Sequence, residues 1–418
     1  MNMAFLVGFT FAFLRYGLAL VPPAALRVDS KKAAAIVSLG VASFYLLLSG
    51  ANVATERAFI MVAVMLLAVL LDRRAITIRS VAIAATILLV WQPEALLAPG
   101  FQMSFAATVA LIAGFGAVNA AMRRFGLTWA LRVSLTVVLA SMIGGLSTAP
   151  YAAAHFNRFT DYGLVANVLT GPAMGLVVMP AGAMAGLLAP FGLAEPALWV
   201  MGLGCRWILF VANWIAGLDG SVTAIPAPVP QVLPVLTLGL IWLVLWDGRS
   251  RWVGVVPVLV SGALWWSGVR PEVLVAERGL VGVMTPDGRA LSKGRGDGFT
   301  ARNWLENDGD LALQTAAHDR PGFRGTPSGL AFTFAGKRGL LVRRDDPVPQ
   351  GCAGFDLIIA PGSLEGAEEC LWVTDATLRE TGSLALYVKG DDLIVIPTHG
   401  AQRLWSVSAG RIEPDLDQ

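Results

Sequence analysis

Charged residues are scarce in this chain. Asp, Glu, Lys and Arg form 14% of its 418 residues, hydrophobic residues form 56%, and the mean hydropathy is +0.65. Soluble globular proteins carry about 25% charged residues. The scarcity of charge therefore excludes an ordinary soluble protein of this length and predicts a polytopic α-helical membrane protein.

The scarcity is uneven along the chain. Residues 1–272 contain 16 basic and 9 acidic residues, a balance of +7, whereas residues 273–418 contain 15 basic and 20 acidic residues, a balance of −5. We therefore predict a transmembrane domain over residues 1–270 and a water-soluble, mildly acidic domain over residues 271–418.

Residues with catalytic chemistry are also few. The three histidines, His155, His318 and His399, are far apart in the sequence. No HxxE, HxH, CxxC or GxSxG spacing occurs, and no glycine loop ends in Lys-Ser or Lys-Thr. These absences argue against a zinc or two-metal hydrolase, a serine hydrolase and an ATP-driven motor. We predict no enzyme activity, no metal and no other cofactor.

One acidic stretch, "ENDGD" at 306–310, needs separate treatment. It lacks the remaining positions of a calcium-binding loop. We interpret it as a solvated turn.

Cysteines number three. Cys205 lies within an apolar segment, whereas Cys352 and Cys370 lie in the soluble part. The last two can form a disulfide if that part faces an oxidising compartment. The alternative, two unrelated thiols, stays open from the sequence alone.

Long apolar runs, by contrast, are abundant. Ten segments are candidates for membrane-spanning helices, at 3–21, 33–49, 52–71, 80–93, 101–122, 130–149, 163–190, 196–217, 232–246 and 252–269. Several are shorter than the roughly 20 residues that a spanning helix needs. The sequence therefore predicts about ten helices.

The charges of the connecting loops test this count. If all ten segments span, the basic loops at 22–32, 72–79, 123–132 and 247–251 share one side and contain eleven basic residues. The loops on the other side contain only Arg158, or two basic residues if Arg57 is counted there. The positive-inside rule then places the basic loops in the cytoplasm and residues 271–418 outside it.

Two adjacent charges, Glu56 and Arg57, interrupt this pattern. The apolar run that follows them, Ala58–Leu71, is too short to span alone, so its helix must begin near Asn52. Both charges are thereby drawn into the outer leaflet, where an ionisable residue normally faces a bundle interior or a water-filled cavity. The alternative is that both lie at the interface, with Arg57 reaching the lipid headgroups.

Two prolines distinguish the segment at 163–190. Pro172 and Pro180 stand among five glycines in "GLVANVLTGPAMGLVVMPAGAMAGLLAP". We predict a kinked or broken helix here, since such breaks are tolerated where protein or water satisfies the freed backbone groups.

The soluble part has the pattern of a β-rich α+β domain. Short apolar runs separated by Gly, Asp and Pro predict strands, namely "LVGVM", "LAFTF", "GLLVR", "FDLIIA", "LWVTD", "LALYV" and "DLIVI". One helical patch is expected around 300–306. The acidic balance argues against a nucleic-acid-degrading domain, which usually presents a basic face.

Three stretches of the membrane part resemble the ComEC competence family, the inner-membrane channels for DNA uptake. "YLLLSGANVATERAFIMVAVMLLAVLLDRR" (45–74) resembles its Gly-x(6)-Arg-Ala-x-Ile/Leu-Met signature, and "WQPEALLAPGFQMSFAATVAL" (91–111) its Pro-Gly-Phe-Gln-Leu-Ser-Phe signature. "STAPYAAAHFNRFTDYGLVANVLTGPAM" (147–174) resembles its later pattern, carried by Pro150, Phe156, Asn167 and Pro172. All three occur in order and cover roughly residues 1–270.

The sequence departs from that family in two places. Members carry a soluble domain and further helices ahead of an Ile-Ser-Gly-Leu-His-Met-like stretch, whereas this chain begins "MNMAFLVG" with Asn2 at the histidine position. An N-terminally truncated protein or a misplaced start is therefore expected. Many members also end in a metallo-β-lactamase-like domain, whose His-x-His-x-Asp-His motif is missing here. The tail resembles a degenerate version, with "FTARNWLENDGD" (299–310) and "LRETGSLALYV" (378–388).

The resemblance implies a channel component that imports single-stranded DNA across the bacterial inner (plasma) membrane during natural transformation. A water-filled path for a polyanion needs polar or cationic groups without tight binding. The residues that we expect to line or shape it are Asn52, Glu56, Arg57, Gln102, Ser104, Asn157 and Asn167. Helix–helix hydrogen bonding is the alternative for each of them.

The resemblance has further implications. The partners implied are single-stranded DNA, membrane lipids, a cytoplasmic ATPase, DNA-receptor proteins and further copies of the chain. Other functions that stay open are a small-molecule or lipid transporter and a non-functional truncated remnant. A membrane-tethered nuclease is disfavoured, because no ligand cluster is present.

Overall fold

The structure is a computed structural model. It describes residues 2–20, 29–124, 128–344, 346–347, 349, 351–352, 354–362 and 370–399. The chain folds into two compact units. The helical unit runs to Thr223 and includes Leu233–Val260, and the second unit contains Ala224–Val232 and the chain from Ser261 onwards.

The helical unit is built from antiparallel helices joined by short connections. Its helices are α1 (Asn2–Ala19), α2 (Ser30–Leu48), α3 (Val53–Leu70), α4 (Ile78–Trp91), α5 (Pro99–Arg124), α6 (Trp129–Phe156), α7 (Gly163–Ala173), α8 (Met179–Leu188), α9 (Glu195–Ala216), α10 (Val232–Leu245) and α11 (Val255–Trp266). Short 3-10 helices lie at Pro93–Leu97, Ala189–Phe191 and Arg249–Gly254. Two short strands, β1 (Arg158–Thr160) and β2 (Val222–Ala224), pair with each other.

All ten predicted segments are helical, which confirms the predicted fold class of a helical membrane part followed by a β-rich part. Within the described ranges, six helices are long and apolar enough to cross a membrane, and shorter apolar helices accompany them. This chain is a multi-pass membrane protein. Of the basic loops, Arg27 lies outside the described residues.

The helix at 163–190 is disturbed but does not unwind. Pro172 lies inside α7, Pro180 lies in the first turn of α8, and a π-helical turn (Met174–Val178) joins the two helices. The residues at both junctions keep right-handed helical backbone angles. Each proline removes an N–H donor and crowds the preceding turn, and a wider turn relieves that crowding. The predicted interruption is therefore a π-helical turn within one apolar span.

Polar caps determine where several helices begin. Asn52 precedes α3 and accepts a hydrogen bond from the backbone N–H of Thr55 (3.0 Å), and Asp29 and Thr77 cap α2 and α4 in the same way. Such caps satisfy N–H groups that have no partner inside the helix. The start of α3 at Val53 confirms that its helix begins beside Asn52.

Small residues allow the helices to approach closely. Ala35 and Ala42 of α2 are fully buried against Met3 and Val7 of α1. Between α10 and the turn before α11, a Cβ on Gly239 would lie 2.8 Å from the carbonyl oxygen of Gly254. Close backbone approach of this kind is typical of helix packing in membranes, where van der Waals contact replaces the hydrophobic effect.

The second unit contains two five-stranded sheets. The first has the order β12-β11-β3-β4-β5 and the second β10-β9-β8-β7-β6. Their strands are β3 (Val273–Val275), β4 (Val281–Thr285), β5 (Gly288–Leu291), β6 (Phe323–Thr326), β7 (Gly329–Phe334), β8 (Lys337–Leu341), β9 (Leu357–Ala360), β10 (Leu371–Thr374), β11 (Leu384–Lys389) and β12 (Asp392–Pro397). All seven predicted strands are confirmed, and the sequence missed β3, β5 and β6.

The two sheets share one apolar core. Buried residues of β3 and β4, such as Val273 and Val283, belong to the same cluster as Phe332, Leu357 and Val373 of the other sheet. Helices α12 (Gly298–Asn307) and α13 (Gln314–His318) cover the outer face of the first sheet through Leu305 and Ala317. A short helix, α14 (Asp375–Thr381), follows β10. The helical patch predicted around 300–306 is α12.

A buried ion pair joins the first sheet to the end of α12. Arg289 of β5 is fully buried and donates two hydrogen bonds to the carboxylate of Asp308, at 2.5 and 3.1 Å. Its remaining donors reach the carbonyl oxygens of Gly282 (3.2 Å) and Pro271 (3.0 Å). Every nitrogen of the guanidinium therefore has a partner.

The solvated turn proposed for "ENDGD" is wrong. Asp308 is 8% exposed in the pair with Arg289, and Asp310 accepts a hydrogen bond of 2.5 Å from Arg320. Burial alone raises the pKa of Asp310, but hydrogen bonds from Arg320 and from the backbone of Ala312, with the charge of Arg320, hold that pKa below its ordinary value. The basic partners lie 10 and 19 residues away in the sequence, so the local pattern did not reveal them.

A disulfide joins Cys352 and Cys370. It closes a segment that separates the two residues by 18 positions and that carries β9. A loop of this size gives about 3 kcal/mol of stabilisation in the chain-entropy account. Cys205 is a free thiol.

We expect the ion pair between Arg289 and Asp308 to contribute to the stability of the second unit. Asp308→Ala leaves a buried cation without its counter-charge, and we expect a loss of about 3–5 kcal/mol in the free energy of unfolding. Urea titration of the full chain with pulse proteolysis measures this loss. Arg302→Gln is the control, because Arg302 is exposed and its pair with Glu306 is screened by solvent. A stability for Asp308→Ala equal to that of Arg302→Gln contradicts the assignment.

The disulfide predicts the number of reactive thiols. The denatured, unreduced protein is expected to react with maleimide at one cysteine, Cys205, and after reduction at three. Mass spectrometry counts the labels. A double variant, Cys352→Ser with Cys370→Ser, is expected to take one label in both conditions. Three labels on the unreduced protein would exclude the bond.

Candidate functional site

The candidate site is a polar cluster at one end of the helical unit. Helix α3 begins, α4 ends, α5 begins and α6 ends at this same end, because neighbouring helices are antiparallel. The cluster contains Glu56, Arg57, Gln92, Gly100, Gln102 and His155. Four helices thus bring polar groups together from sequence positions up to about a hundred residues apart.

Glu56 is held by the residue that ends α4. Nε2 of Gln92 donates a hydrogen bond of 2.9 Å to Oε2 of Glu56, and both side chains are half-buried or nearly so. Glu56 also lies in the first turn of α3, where the helix dipole favours a negative charge. These two contacts stabilise Glu56 without using Arg57.

Arg57 lies directly against the first turn of α5. A Cβ built on Gly100 would lie 2.7 Å from Cζ of Arg57 and would collide with both terminal nitrogens of the guanidinium. Glycine is therefore required for the arginine to occupy this position. Among the described residues, no group accepts a hydrogen bond from the buried Nε of Arg57. A buried donor without a partner costs about 1–3 kcal/mol.

Gln102 connects α5 to the end of α6. Its Oε1 lies 2.8 Å from Nε2 of His155, and its Nε2 donates to the carbonyl oxygen of Leu96 at 3.0 Å. The amide thereby fixes the side chain of His155 and the short 3-10 helix Pro93–Leu97 that precedes α5.

The remaining predicted residues take other roles. Asn52 caps α3 at this end, and Asn157 is a buried residue that ends α6 with a left-handed backbone angle (φ 55°). Ser104 is half-buried one turn into α5. Asn167 is exposed on α7, where Leu164 and Val165 are exposed as well. The structure thus gathers Glu56, Arg57 and Gln102, places Asn52 and Asn157 at the neighbouring helix ends as caps, and leaves Asn167 exposed on α7.

Sequence reasoning missed three members of the cluster. Gln92 directly follows α4, and Gly100 lies in the first turn of α5. His155 is the penultimate residue of α6. Gly100 also belongs to the Pro-Gly-Phe-Gln stretch. A glycine inside a helix can indicate that another group approaches the backbone closely, so this signal was present in the sequence. No local signal identified Gln92 as the partner of Glu56.

Basic side chains lie at the opposite end of the helices. Nζ of Lys32 pairs with Asp72 at 2.7 Å, which joins the start of α2 to the end of α3. Nε of Arg251 donates to the carbonyl oxygen of Leu243 at 2.5 Å. Basic residues therefore gather here, whereas Arg57 is the arginine of the polar cluster.

The cluster suits transient contact with an anion more than catalysis. It offers one cation, two amides and an imidazole, with one carboxylate already held by Gln92. Within the described ranges, no group of three or more His, Cys, Asp or Glu side chains is placed to hold a metal ion.

Comparisons with known proteins agree on the helical part. A family model described as "Competence protein" matches residues 1–250. The chain is 28% identical over 221 residues to ComE operon protein 3 of Bacillus subtilis (strain 168), covering 52% of this chain and 27% of that protein. The chain thus spans about a quarter of the length of that relative. No solved structure matches. This chain belongs to the Competence protein family.

Proposed function

We propose that this protein is a channel component of the bacterial inner membrane that imports single-stranded DNA during natural transformation. The observation that carries the proposal is the polar cluster around Arg57, built from residues of the stretches that resemble competence channels. Family membership over residues 1–250 supports a role in competence. The proposed role is conduction rather than enzymatic cleavage.

The cluster has the properties that a conducting site for a polyanion needs. A partly exposed arginine attracts phosphate groups, and its guanidinium forms strong charge-assisted hydrogen bonds with them. A single cation attracts the strand without retaining it, and conduction requires weak binding at each site.

The proposal includes an orientation. The basic loops face the cytoplasm, and the polar cluster and residues 271–418 lie on the extracytoplasmic side. DNA then meets Arg57 before it enters the apolar part of the bundle. Partners of this arrangement are membrane lipids, DNA-receptor proteins outside, an ATPase inside and further copies of the chain. The driving force comes from a partner or from the proton gradient.

Complementation tests the proposed function. A competent strain deleted for this gene receives the 418-residue chain, and uptake of labelled DNA and transformation frequency are measured. A second strain receives the chain extended by its upstream coding region. Rescue by either version supports a channel component, whereas failure of both, with normal protein in the membrane, contradicts the proposal.

Removal of the cation is expected to abolish uptake. Arg57→Ala deletes the group proposed to contact phosphates, and we expect transformation to fall by about two orders of magnitude or more with normal insertion, since the polar cluster then lacks its cation. Arg57→Lys keeps the charge and is expected to retain part of the uptake. Normal transformation by Arg57→Ala at normal protein level would exclude Arg57 from the path.

A methyl group at Gly100 tests the position of Arg57 without removing it. Gly100→Ala is expected to displace the flexible guanidinium, so that uptake falls while the protein still inserts and folds. Gly116→Ala is the matched control, because it lies on the same helix and its Cβ would meet nothing within 4 Å. Equal uptake by the two alanine variants would show that the contact between Gly100 and Arg57 is irrelevant to import.

A further inference from the structure

The second unit contains a cavity of about 570 Å³. Most of its lining comes from the last residues of β8 and β9 and from the chain segments that follow β3, β5, β8, β9 and β10. Strands β8, β9 and β10 are parallel, and β3 and β5 share one direction because both are antiparallel to β4. The cavity therefore lies at the carboxyl ends of five strands, where loops converge and where parallel sheets commonly bind ligands.

Basic side chains dominate the polar lining. Five of the fifteen basic residues of the mildly acidic region 273–418 line this cavity, namely Arg278, Lys293, Arg343, Arg344 and Arg379. Two carboxylates, Glu277 and Asp375, lie among them. A region with a net charge of −5 thus concentrates positive charge at one concave site.

Few described acidic groups neutralise these cations. Nζ of Lys293 lies 3.5 Å from a carboxylate oxygen of Asp297 and donates to the carbonyl oxygen of Arg278 at 2.9 Å. Among the residues that the structure describes, no carboxylate lies within ion-pair distance of the four arginines. Arg289 differs from these arginines, because each of its guanidinium nitrogens has a partner inside the fold.

The wall beneath the cations is apolar. Leu330, Leu341, Ile359 and Leu378 line the cavity together with the basic groups. Arginine forks match phosphate oxygens geometrically, and an apolar wall accepts the faces of sugars and bases. The volume lies within the roughly 300–1,000 Å³ of ligand pockets and suits one or two nucleotides rather than a long strand.

We infer that this cavity binds phosphate esters, and that its ligand is the phosphodiester backbone of single-stranded DNA. The identity of the ligand rests on the proposed function, whereas the phosphate-ester chemistry rests on the cavity alone. The site is a non-catalytic holding site, since the cations bind the strand and no metal-ligand cluster accompanies them among the described residues.

The test uses the full chain in nanodiscs of neutral lipid and a fluorescent 20-nucleotide oligothymidine followed by anisotropy. The double variant Arg343→Gln with Arg344→Gln is expected to bind roughly tenfold more weakly and to reduce the slope of log affinity against log salt by about 1.4, since each phosphate contact on a single strand contributes about 0.7. The matched control is Arg324→Gln with Lys389→Gln, which removes two exposed charges of the same unit outside the cavity.

Each outcome decides the inference. Weaker binding by the cavity variant alone, with unfolding temperatures equal to the control, supports it. Equal binding by the two double variants overturns it. Binding of thymidine monophosphate or inorganic phosphate at least as tight as that of the strand overturns the DNA assignment and leaves a small phosphate ligand. If the wild-type chain binds through this cavity but neither it nor the chain extended upstream restores uptake, the channel proposal fails and the cavity site stands.

Discussion

A guanidinium placed in an apolar helical bundle is the constraint on which the helical unit depends. The side chain of Arg57 lies against the first turn of α5, where only glycine leaves room. The neighbouring helix ends supply the other polar groups, with Gln92 holding Glu56 and Gln102 holding His155. The cost of an ionisable residue in a membrane explains why these contacts gather at one end of the bundle.

Three sets of arginines in this chain differ in how many hydrogen-bond partners they have, and we assign their roles from that difference. Arg289 is fully buried, and all of its nitrogens are occupied by Asp308 and two carbonyl oxygens, so it ties α12 to its sheet. Arg57 has a buried nitrogen without a partner, and the cavity arginines are exposed and concentrated. Complete pairing gives stability, whereas incomplete pairing leaves capacity for an anion that comes and goes. Both incomplete sites suit the same polyanion, one in each unit.

The features that could be predicted from the sequence are those that hydrophobic patterning controls. Helix locations, seven strands and the start of α3 beside Asn52 follow from local periodicity, capping and loop charge, and the structure contains them. Contacts between distant segments were not predictable in this way. The pairing of Asp308 with Arg289, the Gln92 partner of Glu56 and the contact of Arg57 with Gly100 depend on tertiary packing. The π-helical turn between Pro172 and Pro180 likewise depends on how a whole span accommodates two missing donors.

The measurement that tests the central claim most directly is zero-length photocrosslinking of DNA containing 4-thiothymidine during uptake by living cells, followed by mapping of the crosslinked peptides. The account predicts crosslinks on the peptides that contain Arg57, Gly100–Gln102 and His155, because the strand passes the polar cluster. Crosslinks that fall only on other helices, with none on these peptides during active uptake, would contradict it.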